Sequence, residues 1–208
     1  PETFVGIMSN GTSGDINNYN FREPRPRAAA FERVIAVASV IADKTYDAVK
    51  DLKYRSDAEI VLQERSLDLG IRKPDQEELE YAKKLLTAAK DPDRLTTNEV
   101  YARETVNIDK GPGTVNIKLQ ALRIGELGIV AIPCEVFAEI GLEIKQKSPL
   151  KPTFVIALAN GYNGYLPTPE QHVLQGYETW RSSWSYLEVD ASTKINQQIF
   201  QMLNQISD

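Results

Sequence analysis

Apolar and polar residues alternate with two different periods along this chain, and segments of each kind follow one another without an internal repeat. Apolar side chains recur at helical spacing in four long segments, which predicts amphipathic helices there. These segments are residues 28–52, 75–90, 136–146 and 191–206. Two shorter helices are expected over residues 98–106 and 169–175.

Strand patterns lie between these helices. The strongest is a β-hairpin, in which residues 115–121 alternate, the chain turns at Gly125, and residues 127–132 return as a buried strand. Further strands are predicted over residues 4–8, 58–69 and 154–158. The second of these has a possible irregularity near Arg65. The predicted fold class is α/β, a mixed β-sheet core flanked by helices, and nothing in the middle of the chain resembles a domain linker.

Composition narrows the possible partners. The 208 residues carry a net charge of −5 and a sequence pI of about 5.1, whereas a nucleic-acid-binding protein usually shows a basic footprint. We therefore expect no nucleic-acid partner. No apolar run has the length needed for a transmembrane segment. The single cysteine, Cys134, excludes an internal disulfide.

The first residues indicate that the chain is part of a larger domain. Pro1 is followed almost directly by the predicted strand over residues 4–8, and natural domains rarely begin so close to a core strand. We therefore expect a segment upstream of Pro1.

Three polar loops follow predicted buried strands, which is where open α/β sheets usually bind ligands. In the first, Gly11 and Gly14 lie among Ser, Thr, Asn and Asp residues up to Asn18. Backbone N–H groups around glycines can bind an anion. Alternatively, the loop is a turn held by local side-chain bonds of Asp15 and the asparagines.

The second loop places Glu135 directly after an apolar strand, at the start of a predicted helix. This carboxylate either complements the helix dipole or ligates a metal. The neighbouring Cys134 is disfavoured as a nucleophile, because it would need a base and the only histidine, His172, lies in a separate helical segment.

The third loop contains tyrosines, glycines and asparagines from Ala159 to Thr168, followed by Tyr177. Tyrosines are costly to bury unless their hydroxyl groups find partners. A phenol at this position can ligate a metal or donate a hydrogen bond to a developing oxyanion. The alternative is a tyrosine-rich loop with a structural role.

Together these loops resemble neutral/alkaline, non-lysosomal ceramidases and their bacterial relatives. The resemblance is carried by a glycine- and aspartate-containing loop, a Pro-x-Glu after an apolar strand, and Ala-Asn-x-Tyr-x-x-Tyr followed by Gln-x-Tyr-Glu. These correspond to residues 10–17, 133–135, 159–165 and 175–178. They occur in the family's order and imply that residues 1–208 are the C-terminal half of a ceramidase-like catalytic domain.

The resemblance implies a zinc-dependent hydrolase that cleaves an amide, in an N-acyl sphingosine-like lipid or a related N-acyl substrate, with a metal-activated water. By the family's pattern, Glu135 and Tyr165 are metal ligands. Tyr177 stabilises the oxyanion. Asn17 stands where better-known ceramidases have a serine, and it is a candidate catalytic residue beside Tyr177. The resemblance also implies secretion or a periplasmic location.

The family's two histidine ligands lie upstream of the glycine loop, where this chain has none. The resemblance therefore implies that an upstream half of the same protein supplies them. Two other functions stay open. One is a non-catalytic member of the same fold that binds a lipid or glycan, and the other is a zinc hydrolase acting on a different small amide or ester.

Overall fold

The structure is a computed structural model that describes residues 6–18, 20–24 and 27–207. The chain divides into two compact units, although no linker composition marks a boundary. One unit comprises Pro1–Ile16 together with Glu59–Asp208, and the other comprises Asn17–Ala58.

The smaller unit contains helix α1, Glu32–Lys50. The helix is shorter than predicted, because Phe31 adopts a left-handed conformation with φ of 64° and ends the helical geometry on its N-terminal side. Its predicted apolar stripe has no buried residue, and Val34 is 66% exposed. The helix is therefore confirmed, whereas burial of its apolar stripe is not.

The larger unit is built on a four-stranded sheet in the order β1-β2-β3-β5 and a small sheet of β4 and β6. The strands are β1 Ile60–Gly70, β2 Thr114–Ile124, β3 Leu127–Ile132, β4 Glu135–Val136, β5 Thr153–Ala157 and β6 Tyr165–Leu166. β1, β2 and β3 are antiparallel, whereas β5 runs parallel to β3. The predicted hairpin is confirmed, with Gly125 in its turn at φ of 59°.

Two details of the predicted strands were wrong. β1 pairs with β2 without interruption from Ile60 to Gly70, so there is no irregularity at Arg65. Ile7 and Met8 are 90% and 85% exposed and belong to no strand. The chain meets the edge of β5 only after them, where Asn10 O accepts from Ala157 N–H at 3.0 Å. Phe4 and Val5 lie outside the described residues.

Helices follow the predicted order, and their ends have specific caps. They are α2 Gln76–Thr87, α3 Thr97–Lys110, α4 Ala138–Lys147, α5 Pro169–Leu174 and α6 Ala191–Ser207, with a 3₁₀ turn at Tyr177–Thr179. Asp75 and Thr96 begin α2 and α3 with capping boxes. α4 begins later than predicted because Glu135–Val136 forms a strand first.

Helices α4 and α6 pack on one face of the four-stranded sheet, which we call the covered face. Its sheet residues are fully or nearly fully buried. They are Leu69, Ile117, Leu119, Ala121, Val130, Ile132, Val155 and Ala157. The mixed sheet with flanking helices confirms the predicted α/β class. Within the described residues, no helix has both the length and the apolar content that crossing a membrane requires.

The opposite side of the sheet, which we call the second face, has a polar part and an apolar part. In the polar part, Lys118 pairs with Glu64 at 2.8 Å and Asn116 bonds Asp68 at 2.7 Å. The apolar side chains are partly or largely exposed. They are Ile60, Leu62, Leu122, Ile124, Leu127, Ile129, Phe154 and Ile156.

Candidate functional site

The candidate site lies where β3 and β5 end. Because these neighbouring strands are parallel, the loops that follow them emerge at the same edge of the sheet. Each loop then adds a short strand, and β4 pairs in parallel with β6. Glu135 is directly opposite Tyr165 in this pairing. Neighbouring strands lie about 4.8 Å apart and paired side chains leave the same face, so the two predicted ligands are adjacent.

Hydrogen bonds at the start of the two short strands fix this pairing. Glu135 N–H donates to Gly164 O at 2.8 Å. Two residues earlier in each strand's approach, both the backbone N–H and the side-chain Nδ2 of Asn163 donate to Pro133 O, at 2.9 and 3.0 Å. The register of Glu135 against Tyr165 is therefore set by several bonds rather than by one.

A glycine is required immediately before Tyr165. Gly164 has φ of +71°, which side-chain-bearing residues rarely adopt, and a Cβ atom there would overlap the backbone of Trp184. Tyr165 N–H donates to Trp184 O at 2.8 Å. This close approach brings a third segment of chain against the tyrosine loop.

Tyr162 contacts the candidate carboxylate directly. Its hydroxyl group donates to Glu135 Oε1 at 3.0 Å. Partial burial, and then this hydrogen bond to Glu135, raise the pKa of Tyr162 to about 12. The phenol is therefore a hydrogen-bond donor at neutral pH and holds one oxygen of the carboxylate.

Tyr165 and Tyr177 form an edge-to-face pair, with ring centroids 5.8 Å apart and an interplanar angle of 88°. Burial raises the pKa of Tyr165 first, followed by its hydrogen bond with Tyr177 and by the negative charge of Glu135. Tyr177 begins the 3₁₀ turn and is 52% exposed. The structure thus brings Glu135, Tyr165 and Tyr177 into one cluster with a solvent-facing phenol.

The glycine loop supports the backbone of Glu135. Gly14 N–H donates to Val136 O at 2.8 Å, and a Cβ atom at Gly14 would overlap the carbonyl of Glu135. Asp15 Oδ1 accepts from Ala138 N–H at 2.8 Å, at the first residue of α4. The predicted local bonding of Asp15 is replaced by this longer connection, because α4 offers an unpaired N–H group at that point.

Asn17 belongs to the smaller unit. Its side-chain oxygen accepts from Asn18 N–H at 2.8 Å, a local bond typical of turns. Its role in catalysis stays a prediction.

Two other reactive side chains are arranged unfavourably for nucleophilic catalysis. Cys134 is completely buried, and burial raises the pKa of its thiol to about 12. His172, in α5, is half-buried, and burial followed by the positive charge of Arg72 lowers its pKa to about 4. The thiol is therefore protonated and the imidazole neutral at pH 7.

Sequence reasoning assigned no individual role to Tyr162, Asn163 or Tyr186. Asn163 Oδ1 accepts from the Tyr186 hydroxyl at 2.8 Å, while its Nδ2 holds Pro133. The clustering of Tyr162 and Asn163 within one glycine-rich loop was a visible signal. The part played by Tyr186, 23 residues away from Asn163, had no local signal.

The donor atoms of this cluster fit part of a zinc shell. Zinc accepts carboxylate oxygens, and its protein sites supply at least three ligands. Glu135 and Tyr165 offer two oxygens. Among residues 6–18, 20–24 and 27–207, no group of three or more His, Cys, Asp or Glu side chains could hold a metal ion. The described residues can contribute to a zinc site and do not complete one.

No protein-family model matches this sequence, and no curated protein matches it. Solved structures do. The fold, a mixed sheet with flanking helices, is similar to part of a ceramidase.

The neutral ceramidase from Pseudomonas aeruginosa has a TM-score of 0.60 and 16% sequence identity, over 95% of this chain and 36% of the ceramidase. A ceramidase complexed with C2 has a TM-score of 0.40 and 19% identity, over 44% of this chain and 15% of that one. The resemblance read from the sequence is confirmed at the level of the fold, over a limited part of the solved protein.

Proposed function

We propose that this chain is the C-terminal half of a zinc-dependent, ceramidase-like hydrolase that cleaves an amide in an N-acyl sphingosine-like lipid or a related N-acyl substrate. The observation that carries the proposal is the direct pairing of Glu135 with Tyr165, with the ring of Tyr177 5.8 Å from that of Tyr165. A carboxylate and two phenols at one sheet edge match the residues that the motifs selected.

In this proposal Glu135 and Tyr165 hold the cation. When bound, zinc supplies the acidified water and polarises the substrate carbonyl. Tyr162 already holds one Glu135 oxygen at 3.0 Å. It therefore orients the carboxylate, as partners of metal ligands commonly do. Without a cation, the raised pKa of Tyr165 keeps its phenol protonated.

Tyr177 is the proposed oxyanion donor. Its half-exposed hydroxyl group can reach a substrate oxygen, and a donor directed at developing negative charge lowers the barrier of acyl transfer. Asn17 is proposed as a second polar contact to the substrate, on its motif position alone.

The remaining ligands are proposed to be histidines from an upstream half of the same protein. Two facts support this: the chain covers 36% of the solved ceramidase, and its described residues offer no group of three conventional metal ligands. The partly exposed apolar residues of the second face are consistent with a larger domain. Secretion or a periplasmic location is proposed from the family resemblance.

Zinc content tests the metal site in the intact protein, including whatever its gene encodes before Pro1. We expect one zinc per chain by atomic emission. Glu135→Gln should weaken zinc binding at least about 100-fold, more than the loss of an outer partner would. Glu126→Gln, at the exposed hairpin turn, is the matched control. Zinc-free protein, or equal zinc affinity in both variants, would falsify the metal site.

Turnover of a panel of N-acyl sphingosines, other N-acyl amines and small esters tests the reaction and substrate class. Tyr177→Phe should lower kcat by about 100-fold or more while zinc content is unchanged. Tyr81→Phe, an exposed tyrosine on α2, should change neither. Cleavage of esters alone would move the assignment to a different zinc hydrolase.

The second candidate function is a non-catalytic lipid- or glycan-binding protein of the same fold. Such a protein would use the same polar and aromatic cluster without a completed metal site. The coding sequence before Pro1 separates the two functions. A His-x-His pattern with another histidine supports the hydrolase, and their absence supports the binding protein.

A further inference from the structure

The two phenols of the candidate site both depend on one stretch of chain, residues 177–187, which we call the closing segment. Tyr177 begins this segment. Trp184, further along it, accepts the backbone N–H of Tyr165 at 2.8 Å and lies against Gly164. The position of the closing segment therefore sets the distance between Tyr165 and Tyr177.

Arg72 holds the closing segment at several points. Its Nη1 donates to Thr179 O at 2.8 Å, its Nη2 donates to Ser185 O and Oγ at 2.7 and 2.9 Å, and its Nε donates to Leu187 O at 2.9 Å. Its backbone N–H donates to Tyr186 O at 2.8 Å. All three nitrogens of the planar guanidinium group thus donate to the segment, at points from Thr179 to Leu187.

These four hydrogen bonds of the Arg72 side chain all go to neutral oxygens. Burial, and then the positive charge of Arg181, lower the pKa of Arg72 to about 10, so it stays charged at pH 7. A charged group placed among carbonyl groups forms stronger hydrogen bonds than a neutral donor would. This arrangement suits a rigid brace rather than an ion pair.

Ser185 carries the constraint from Arg72 to the turn that holds Tyr177. Its hydroxyl group donates to Glu178 O at 2.5 Å, while it also contacts Arg72 Nη2. On the other side of the turn, Thr179 N–H and Oγ1 both donate to Gly176 O. Hydrogen bonds from Thr179 and Ser185 therefore hold the residues on both sides of Tyr177. Arg72 donates to both Thr179 and Ser185 and so connects the two contacts.

We propose that Arg72 is a positioning residue, which holds the closing segment so that the Tyr177 hydroxyl group stays beside Tyr165, in reach of the substrate oxygen. The inference rests on the proposed function for its catalytic consequence, whereas the geometric consequence stands without it. Arg72 lies 93 and 105 residues before the two phenols and 107 to 115 residues before the residues that accept its side-chain hydrogen bonds, and no motif pointed to it.

The main test compares Arg72→Met and Arg72→Lys with Arg65→Met, at an exposed arginine of β1 that donates to Gln205 Oε1 at 2.8 Å. Nuclear Overhauser contacts between the Tyr165 and Tyr177 rings, observed with labelled tyrosine, report the geometry. Arg72→Met should lose these contacts and lower kcat by about tenfold or more with KM within about threefold, because small displacements of a catalytic group are costly. Arg72→Lys should restore part of the ring contacts and part of kcat, and Arg65→Met should change neither.

Arg72→Met can fail to fold, so a gentler pair is included. Ser185→Ala removes one contact to Arg72 and the bond to Glu178, whereas Ser182→Ala removes a hydroxyl from the facing residue of the same bridge. Both serines are buried, at 1% and 0% exposure. Ser185→Ala should weaken the ring contacts and lower kcat about threefold or more, and Ser182→Ala should leave both unchanged.

The two readouts separate this inference from the proposed function. If the protein hydrolyses no substrate, the proposed reaction fails, and the ring contacts still decide the role of Arg72. Folded Arg72→Met that retains the ring contacts would overturn the inference. Equal effects of Ser185→Ala and Ser182→Ala would also overturn it.

Discussion

The two faces of the four-stranded sheet carry similar numbers of apolar side chains and differ in what lies against them. On the covered face, α4 and α6 fill the space and residues such as Leu119 are 0% exposed. On the second face, Leu62 is 57% exposed, and polar pairs such as Lys118 with Glu64 occupy one part.

This difference shows what strand periodicity can predict. It indicates which residues share a face of the sheet, but it does not indicate whether helices pack on that face. The covered face receives its partners from elements of the same unit. Large exposed apolar patches on folded proteins commonly mark interaction surfaces. The first two tests below compare a packed position with a matched open one, and the others examine partly buried and exposed positions.

The largest effect is expected within β2, where Leu119 points to the covered face and Leu122 to the second face. Leu119→Ala should lower the free energy of unfolding by about 2–5 kcal/mol, because it leaves a cavity under the helices. Leu122→Ala should cost about 1 kcal/mol or less. Urea unfolding with equal m-values measures both, and equal losses would contradict the comparison.

The next largest effect lies in the glycine loop. Gly14→Ala should destabilise the protein by about 1–3 kcal/mol, because the added methyl overlaps the Glu135 carbonyl. Gly11→Ala, which meets nothing within 4 Å, is the matched control and should change stability by less than about 0.5 kcal/mol. Thermal unfolding compares the two, and a stable Gly14→Ala variant would show that the loop and Glu135 are not in close contact.

A smaller effect on stability is expected from His172, whose side chain is partly buried. Its folded-state pKa of about 4 lies below the ordinary 6.5. The contribution of this lowered pKa to the free energy of unfolding is fully present above pH 6.5 and is lost as the pH falls through 4. Because the ring is half-exposed, this contribution should stay below about 1 kcal/mol.

His172→Gln should therefore reduce the loss of unfolding free energy between pH 7 and pH 5. Residues 1–208 contain one histidine, and comparing the variant with the unaltered protein isolates the contribution of this imidazole. An unchanged pH dependence would show that the ring is solvated.

The smallest effect on stability is expected on the second face. Leu62→Lys should change the free energy of unfolding by less than about 0.5 kcal/mol, because the side chain is already mostly in water. Binding of a fluorescent apolar dye should fall. A cost above 2 kcal/mol would mean that the second face is packed in solution, and the contrast with the covered face would disappear.

Elements with long periodic patterns could be predicted from the sequence. The β2–β3 hairpin and helices α2 and α6 have strong repeats, and they were found with small errors at their ends. The stripe of α1 also has helical spacing, yet its burial could not be predicted, because burial depends on a partner that the pattern does not name.

The candidate site was likewise predictable only in part. Glu135, Tyr165 and Tyr177 could be selected because motifs surround them. Their adjacency could not be derived, since β4 and β6 are two residues long and carry no period. The role of Arg72 could not be predicted from the sequence, because the backbone carbonyls that accept its hydrogen bonds lie 107 to 115 residues away.

The parallel pairing of β4 with β6 restricts where the chain can change in length. Removing one residue between Ala159 and Gly164 would bring Leu166 opposite Glu135 and turn the phenol to the other side. An insertion between α4 and β5 would leave that pairing intact, since β5 is aligned separately by β3. Relatives that keep this chemistry should therefore vary in length before β5 and keep a constant spacing after it.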